Sequence, residues 1–541
     1  QNQKDIDRIE KNWENVTEWL LFGGYDFDFI SESMLKPLYS GEGAPLQVGK
    51  EHYDVVVVPE CETLRRSTME CLRKFRNAGG TIVFAGEIPA MVDAIPSAAP
   101  TDLANTCVRI PLEKSEMRSA LRPFRDIRIQ NMDGSCTEEY LYQMREDANG
   151  RWLFLACGKA QGDEETPKDI CLTIPGSWKA ELYDTISGET QLLFPEYEGN
   201  QTKIVRTVYA QDSLLVRLTP GREEQKCLEK RKREYQILSL PEEYQYTLSE
   251  PNVLLLDVAE YRLDEEPWQR AEEIRRLDRG CRRKLDWHGG IQPWLIPDEA
   301  PTHKISLRFR ITSQVRQEKI RLALENAQKA EILWNGKSVS HETAGFYVDW
   351  EIPTVVLPPL EKGENLLEVT LPFEKKETVE WCYLLGNFGV SISEDQKILV
   401  PLPEKLKFGS IVPQGFPFYG GTVTYHIPFC AESAGTLTVQ LPEYHAAVVK
   451  AQVDNGNAHT IAFAPYICRI PMTEGKHMLK LTAFLNRTNS FAPVHNANPN
   501  ETWFGWTAWE TQGEQWTYNY VLQPEGILVT PILKLEQGDT P

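Results

Sequence analysis

Between Ile305 and Leu371, apolar and polar residues alternate in short runs: LRFRITS, KIRLALENAQKAEILWNGKSV and VDWEIPTVVLPPLEKGENLLEVTL. A period of two places every second side chain on one face of a strand, so this stretch is committed to half-buried sheet rather than helix. Asn335-Gly336 stands between two of the runs. A two-residue hairpin turn needs positive φ at both positions, which Asn and Gly adopt at least cost. Lys362-Gly363-Glu364-Asn365 punctuates the approach to a further alternating run, Leu366 to Leu371. Short strands separated by turn signals predict an antiparallel β-sandwich.

The N-terminal part reads differently. From Asp5 to Phe22, Ile6, Ile9, Trp13, Val16 and Leu20 recur at spacings of three and four, giving an amphipathic helix stopped by Gly23-Gly24. The run Val55-Val56-Val57-Val58-Pro59 fits a parallel strand buried on both faces. Ser67 is placed to cap a second helix with Met69, Leu72 and Phe75 on one side, and Gly79-Gly80 ends it before the buried strand Thr81 to Ala85. The pieces DFDFISESML, YDVVVVPECETL and FRNAGGTIVFAGEIP resemble the flavodoxin-like, glutamine-amidotransferase-like domain that follows the catalytic barrel in several glycoside hydrolases. An active amidotransferase would need a cysteine nucleophile on a sharp elbow with a histidine to activate it. Cys61 follows a strand, but Glu60 and Glu62 flank it and would raise its pKa, so a structural thiol is expected there.

From Asp126 the pattern changes to short strands (EEYLYQMRE, RWLFLACG, DICLTIPG, WKAELYDTISGETQLLF, TKIVRTVYAQDSLLVRLTP), predicting a small β-sandwich. Its LYDTISGE and AQDSLLVRL resemble the β-domain closing many glycosidases. Arg222 to Tyr235 mixes both signs of charge and reads as a linker. YQILSL and NVLLLDVAEYRL read as strands, followed by a helix over 267–285 with Pro267 in its first turn and Trp268, Ile274, Leu277, Cys281 and Leu285 as its buried stripe.

After Pro401 the theme repeats: LTVQLPEYHAAVVKAQVDNGNAHTIAF follows the outline of KIRLALENAQKAEILWNGKSVSH, with Asn455-Gly456 where Asn335-Gly336 stood. Gly475 likewise takes the place of Gly363. The alternating modules resemble galactose-binding-like sugar-binding domains. CYLLGNFGV, QGFPFYGGTVTYHI, NRTNSFAPVH, WFGWTAWE and YVLQPEGIL occur in that order and, together, resemble the tail of large α-L-rhamnosidase-like glycoside hydrolases. The resemblance implies a multidomain, mostly β chain: an α/β flavodoxin-like domain (1–125), a small β-sandwich (126–222), a galactose-binding-like jelly roll carrying the inserted helix 267–285 (223–398), and a second such jelly roll (399–541). It also implies hydrolysis of O-glycosidic bonds by a TIM barrel preceding these modules. No run of eight βα units occurs in these 541 residues, so no catalytic residue is expected here. The chain opens at Gln1 with no signal-peptide pattern and reads as a fragment or processed product.

A formal net charge of −20 argues against nucleic acid and anionic membranes as partners, leaving carbohydrate or the barrel of the same polypeptide. Asp26, Asp28 and Glu32 cluster in YDFDFISE, but capping and exposure account for them. The 9 histidines show no zinc spacing; no cofactor is expected beyond a calcium ion that could sit in a sandwich loop. The 11 cysteines lack metal or disulfide patterning and read as free thiols of a reducing, cytoplasmic compartment. The candidate site is aromatic: Trp503, Trp506, Trp509 and Trp516 beside His495 and Asn496, with Tyr518 and Tyr520 close by. Sugar C–H faces stack on such rings while amides bond the hydroxyls; alternation in WTYNY makes one of its faces core.

Overall fold

The computed structural model describes residues 3–39, 43–158, 167–185, 188–222, 235–287, 295–297, 300–394, 396–498 and 513–537. The chain divides into two compact units, Gln1–Lys230 and Arg231–Pro541.

In the first unit the valine run is a strand as expected. Val55–Pro59 pairs in parallel with Thr81–Ala85, and that strand with Val108–Ile110. Both faces are covered. Val58, Ile82 and Phe84 pack with Met69, Leu72 and Phe75 of the helix Arg66–Asn77. Val83 and Ala85 pack on the other side with Val16 and Leu20 of the helix Gln3–Leu21 and with Met117 and Leu121 of the helix Lys114–Leu121. The result is a three-layer α/β/α arrangement. Gly79 turns the chain out of its helix at φ +93°, and a Cβ on Gly80 would lie 2.3 Å from the Phe75 ring, so both glycines are required. Ser67 does not cap: the helix begins at Arg66, whose amide donates to Asp93 from a neighbouring turn. Trp13 leaves the expected buried stripe, half exposed and 4.6 Å from the Phe29 ring.

The two larger sheets of this unit are antiparallel. One sheet runs Tyr140–Asp147, Gly150–Cys157, Ser213–Pro220, Trp178–Tyr183, Thr190–Leu193; the other runs Glu196–Glu198, Gln201–Val208, Lys168–Pro175, Arg128–Asn131. Alternate residues of both meet in a core that includes Leu153, Ile170, Leu172, Ile174 and Leu218.

The second unit holds two sandwiches, antiparallel apart from a parallel pairing of Thr312 and Ser313 with Ile398 and Leu399. In the first, His303–Ser313 pairs with Gly363–Phe373 along its whole length, and Glu331–Trp334 joins that strand. The opposing sheet runs Asn252–Leu256, Cys382–Gly386, Ile320–Ala323, Asp349–Leu357, Thr343–Tyr347. Asn335 (φ +50°) and Gly336 (φ +76°) make the expected hairpin turn. In the second sandwich Thr422–Ala431 pairs with Gly475–Phe484, which Val448–Val453 joins, so the repeat is one of topology. Its turn differs from expectation. Asp454, at φ +52°, takes the left-handed conformation and Gly456 does not, because the loop is longer before His459–Ile461.

Two corrections concern the segment between the units and the first of these sandwiches. Tyr235–Ile237 and Gln245–Leu248 pair with Ile532–Gln537 and Thr422–Ala431, which places them in the sheets of the last sandwich rather than with the neighbouring strands that follow them. The inserted helix spans Ile274–Lys284 rather than 267–285. Gln269–Glu273 is instead a strand paired with Val258–Leu263, and Glu273 caps the helix by accepting from the amides of Arg275 and Arg276. Ile274, Leu277 and Cys281 are buried as expected, whereas Trp268 lies under the Arg308 guanidinium at 3.8 Å. The linker residues 223–234 lie outside the described residues.

Candidate functional site

Within NVLLLDVAEY, five buried residues, Asn252–Leu256, lead straight to Asp257, whose side chain is wholly buried. An isolated carboxylate there would be prohibitively costly, so its partners define the place. Oδ1 accepts from Lys397 Nζ at 2.5 Å and from the Tyr520 hydroxyl at 2.9 Å; Oδ2 lies 2.9 Å from His495 Nε2. Lys397 also donates to the Leu255 carbonyl at 2.6 Å, and its ammonium lies 5.0 Å from the Tyr520 ring centre. Burial pushes the Asp257 carboxyl up, but the Lys397 ammonium and the His495 bond overcome it and hold the group well below the usual carboxylate range. Asp257 is therefore a fixed anion.

Since Asp257 accepts at His495 Nε2, the imidazole donates there and turns Nδ1 elsewhere. Nδ1 is buried and has no hydrogen-bond partner among the described residues, and the same holds for Trp516 Nε1. The imidazole sits between two rings, with centroids 5.0 Å away at Trp516 and 4.9 Å away at Tyr520. The Arg276 guanidinium covers Trp516 at 4.3 Å and bonds Glu272, which also accepts from the Tyr518 hydroxyl. Next to this, the buried Glu273 carboxyl is pushed up to about 6 by its burial, against hydrogen bonds from the Trp381 indole and two helix amides.

Of the residues singled out in the sequence, His495, Asn496 and Trp516 do come together. Asn496 and Trp516 form an antiparallel bridge, Thr517 N donates to the His495 carbonyl at 3.1 Å, and Ala497 N to that of Gln515 at 2.9 Å. His495 and Asn496 face inward, 2% and 5% exposed, while Trp516 is only partly buried. Trp503, Trp506 and Trp509 lie outside the described residues. Sequence reasoning missed Asp257 and Lys397. One signal was available, a lone aspartate closing a run of leucines, which implies a buried, paired charge.

The other candidates are dispersed. Asp28 accepts from the Tyr53 hydroxyl, Glu32 from the Arg65 amide, and Asp26 faces Arg145 at 3.4 Å, so these acids serve separate contacts. The Cys61 thiol is pushed up to about 11, first by burial and then by Glu32; Glu60 instead engages Arg8 and Asn12. The cause expected from the flanking glutamates is thus replaced by burial. Among the described residues no group of three or more His, Cys, Asp or Glu side chains is placed to hold a metal, and no helix is long and apolar enough to cross a membrane. The described cysteines are free thiols, with Cys71, Cys281, Cys382 and Cys468 buried and Cys136 and Cys430 exposed.

Neither a protein-family model nor a curated protein sequence matches the chain. Among solved structures it is similar to a rhamnosidase from Novosphingobium sp. PP1Y, with a TM-score of 0.47 and 12% identity over 95% of this chain and 36% of that one. Others are an exo-carrageenase GH42 from Bacteroides ovatus (TM-score 0.25, 16% identity, 38% of this chain and 26% of that one) and a GH2 beta-galacturonidase from Eisenbergiella tayi (TM-score 0.19, 12% identity, 44% and 37%). The chain thus spans between 26% and 37% of the length of these three proteins.

Proposed function

We propose that this chain is a non-catalytic accessory part of a glycoside hydrolase, bracing a catalytic barrel of the same polypeptide and contacting glycan through its tryptophan-rich segment. The parent reaction is hydrolysis of an O-glycosidic bond, with an α-L-rhamnoside as the substrate suggested by the resemblance of its motifs. In this reading 1–125 is an amidotransferase-like domain without a nucleophile, 126–222 a bracing sandwich, and the two sandwiches of the second unit, the later one including the strands at 235–237 and 245–248, are galactose-binding-like jelly rolls. Its partners are carbohydrate or the barrel, it uses no cofactor other than a calcium ion that a sandwich loop could hold, and the free thiols favour a reducing compartment.

The observation that carries the reading is the anchoring of residues 494–498 and 513–521. Asp257 grips His495 and Tyr520, and backbone bonds tie the two stretches together. The sequence between them carries Trp503, Trp506 and Trp509. Rigid flanks around a tryptophan-rich sequence are the kind of construction that a sugar-contact site needs. Two measurements test it. Aryl rhamnosides and related glycosides should not be turned over by this chain, and specific turnover would overturn the non-catalytic role. A glycan array should show neutral-sugar hits that fall with Trp503→Ala, Trp506→Ala and Trp509→Ala; hits indifferent to all three would sink the aromatic contact. A stand-alone carbohydrate-binding protein is the alternative, distinguished by full affinity without any barrel. Amidotransferase-like chemistry at Cys61 runs against its raised thiol, and Cys61→Ala should change no activity.

A further inference from the structure

The second unit contains a cleft of about 760 Å³, a size that holds a di- or trisaccharide. One wall is the outer face of a sheet already described. Ile320 is buried in the sandwich core, so its neighbours Lys319 and Arg321 face outward. Arg321 lies across from Val356 on one side and Leu385 on the other, and all three line the cleft. Tyr246 and Leu248 of the other sandwich line it too, with Leu402, Pro403 and Glu404; the Tyr246 hydroxyl donates to the Pro403 carbonyl at 2.5 Å. Where the chain crosses between the sandwiches, Glu250 is clamped by Arg487 at 2.7 and 2.8 Å.

Several of the polar groups lining this cleft are already committed. Glu250 belongs to Arg487, Glu318 to Arg316, and the Asn252 amide to the carbonyls of Phe388 and Gly415. Among the described residues Lys319, Arg321, Glu404 and Asn387 make no ion pair or side-chain hydrogen bond. A chain of net charge −20 thus keeps two unengaged cations on one wall, against one unengaged carboxylate. An arginine fork matches a carboxylate in plane and in spacing. Val356, 54% exposed, and Leu248 offer an aliphatic surface beside it.

We infer that this cleft binds a carboxylate-bearing sugar, a hexuronate residue of an oligosaccharide. Its carboxylate pairs with Arg321 and Lys319, its hydroxyls bond Glu404 and Asn387, and its C–H face lies on Val356. The charge part stands on the cleft alone, while the identification of the ligand as a sugar rests on the carbohydrate reading above.

The probes are galacturonate and glucuronate, titrated calorimetrically into the intact chain alongside galactose, rhamnose and acetate. Saturable binding of a uronate is expected, with neutral sugars and acetate at least tenfold weaker. Arg321→Gln should weaken it by about 10- to 100-fold, the span expected for losing a charged hydrogen-bonded pair. Lys319→Gln should act in the same direction and guards against misfolding of the first variant. Uronate binding that is absent, or unchanged in both variants, overturns the inference. Equal affinity for acetate and uronate overturns its sugar part. Neutral-glycan hits at the tryptophan segment are read separately with Trp503→Ala, so either site can fail without the other.

Discussion

Two carboxylates in the second unit are almost equally buried and treated in opposite ways. Asp257 receives an ammonium, a phenol and an imidazole. Glu525, 1% exposed, has no hydrogen-bond partner for either carboxylate oxygen among the described residues; its facing group is His445, whose Nδ1 lies 3.4 Å away and forms an ion pair with it when protonated. A buried carboxylate is stable where its field is answered, so the first is built into the fold by fixed partners, while the second faces only an imidazole that carries charge when protonated. Position explains the difference. Asp257 joins three remote segments, whereas Glu525 sits beside a backbone bridge, His445 with Gly526, that already holds its strands.

The largest expected effect comes from breaking the answered charge. Asp257→Asn leaves Lys397 buried without its counter-ion and should cost about 3–5 kcal/mol in chemical denaturation. Next, the double substitution Asp257→Leu with Lys397→Met should cost clearly less than Asp257→Asn, since no orphan charge remains. If the double variant is the weaker, the cluster is held by packing rather than charge, and the comparison fails.

The third contrast is pH. The folded Asp257 carboxyl lies below its unfolded value, so its stabilisation is complete above about pH 4 and is lost as pH falls through the folded value. Asp257→Asn should flatten the acid limb of stability against pH. Near Glu525 the sign reverses. The carboxylate raises the His445 imidazole, so that contribution is present below about pH 6.5 and fades as pH rises through the raised value. His445→Gln should remove this slope; an unchanged slope means another group titrates there. The smallest effect is Glu525→Gln, expected within about 1 kcal/mol of the parent in the same denaturation.

Local features were legible in the sequence and long-range ones were not. The strands of Ile305–Leu371 and the Asn335-Gly336 turn were readable because period two and positive φ are properties of neighbouring residues. Asn455-Gly456 misled because the residue before it, Asp454, took the left-handed conformation. The start of the helix moved to Ile274 because pairing of Gln269–Glu273 with Val258–Leu263 outweighs helix propensity. The Asp257 cluster was invisible for a different reason: its members lie at 257, 397, 495 and 520, and no window of sequence contains two of them except the last pair. Only the oddity of an aspartate in an apolar run pointed there.

The pairing of Tyr235–Ile237 with Ile532–Gln537 has a consequence for synthesis. On the ribosome, the early strands at 235–237 and 245–248 emerge about 300 residues and about 180 residues, respectively, before their partners at 532–537 and 422–431. Chains fold as they are made, so the sandwich spanning 252–400 can close first while its neighbour's opening strands wait with open edges. The last sandwich is thereby a latch thrown around a finished middle. Pulse-labelled chains released before residue 532 should protect 252–400 from proteolysis and leave 235–248 open to cleavage.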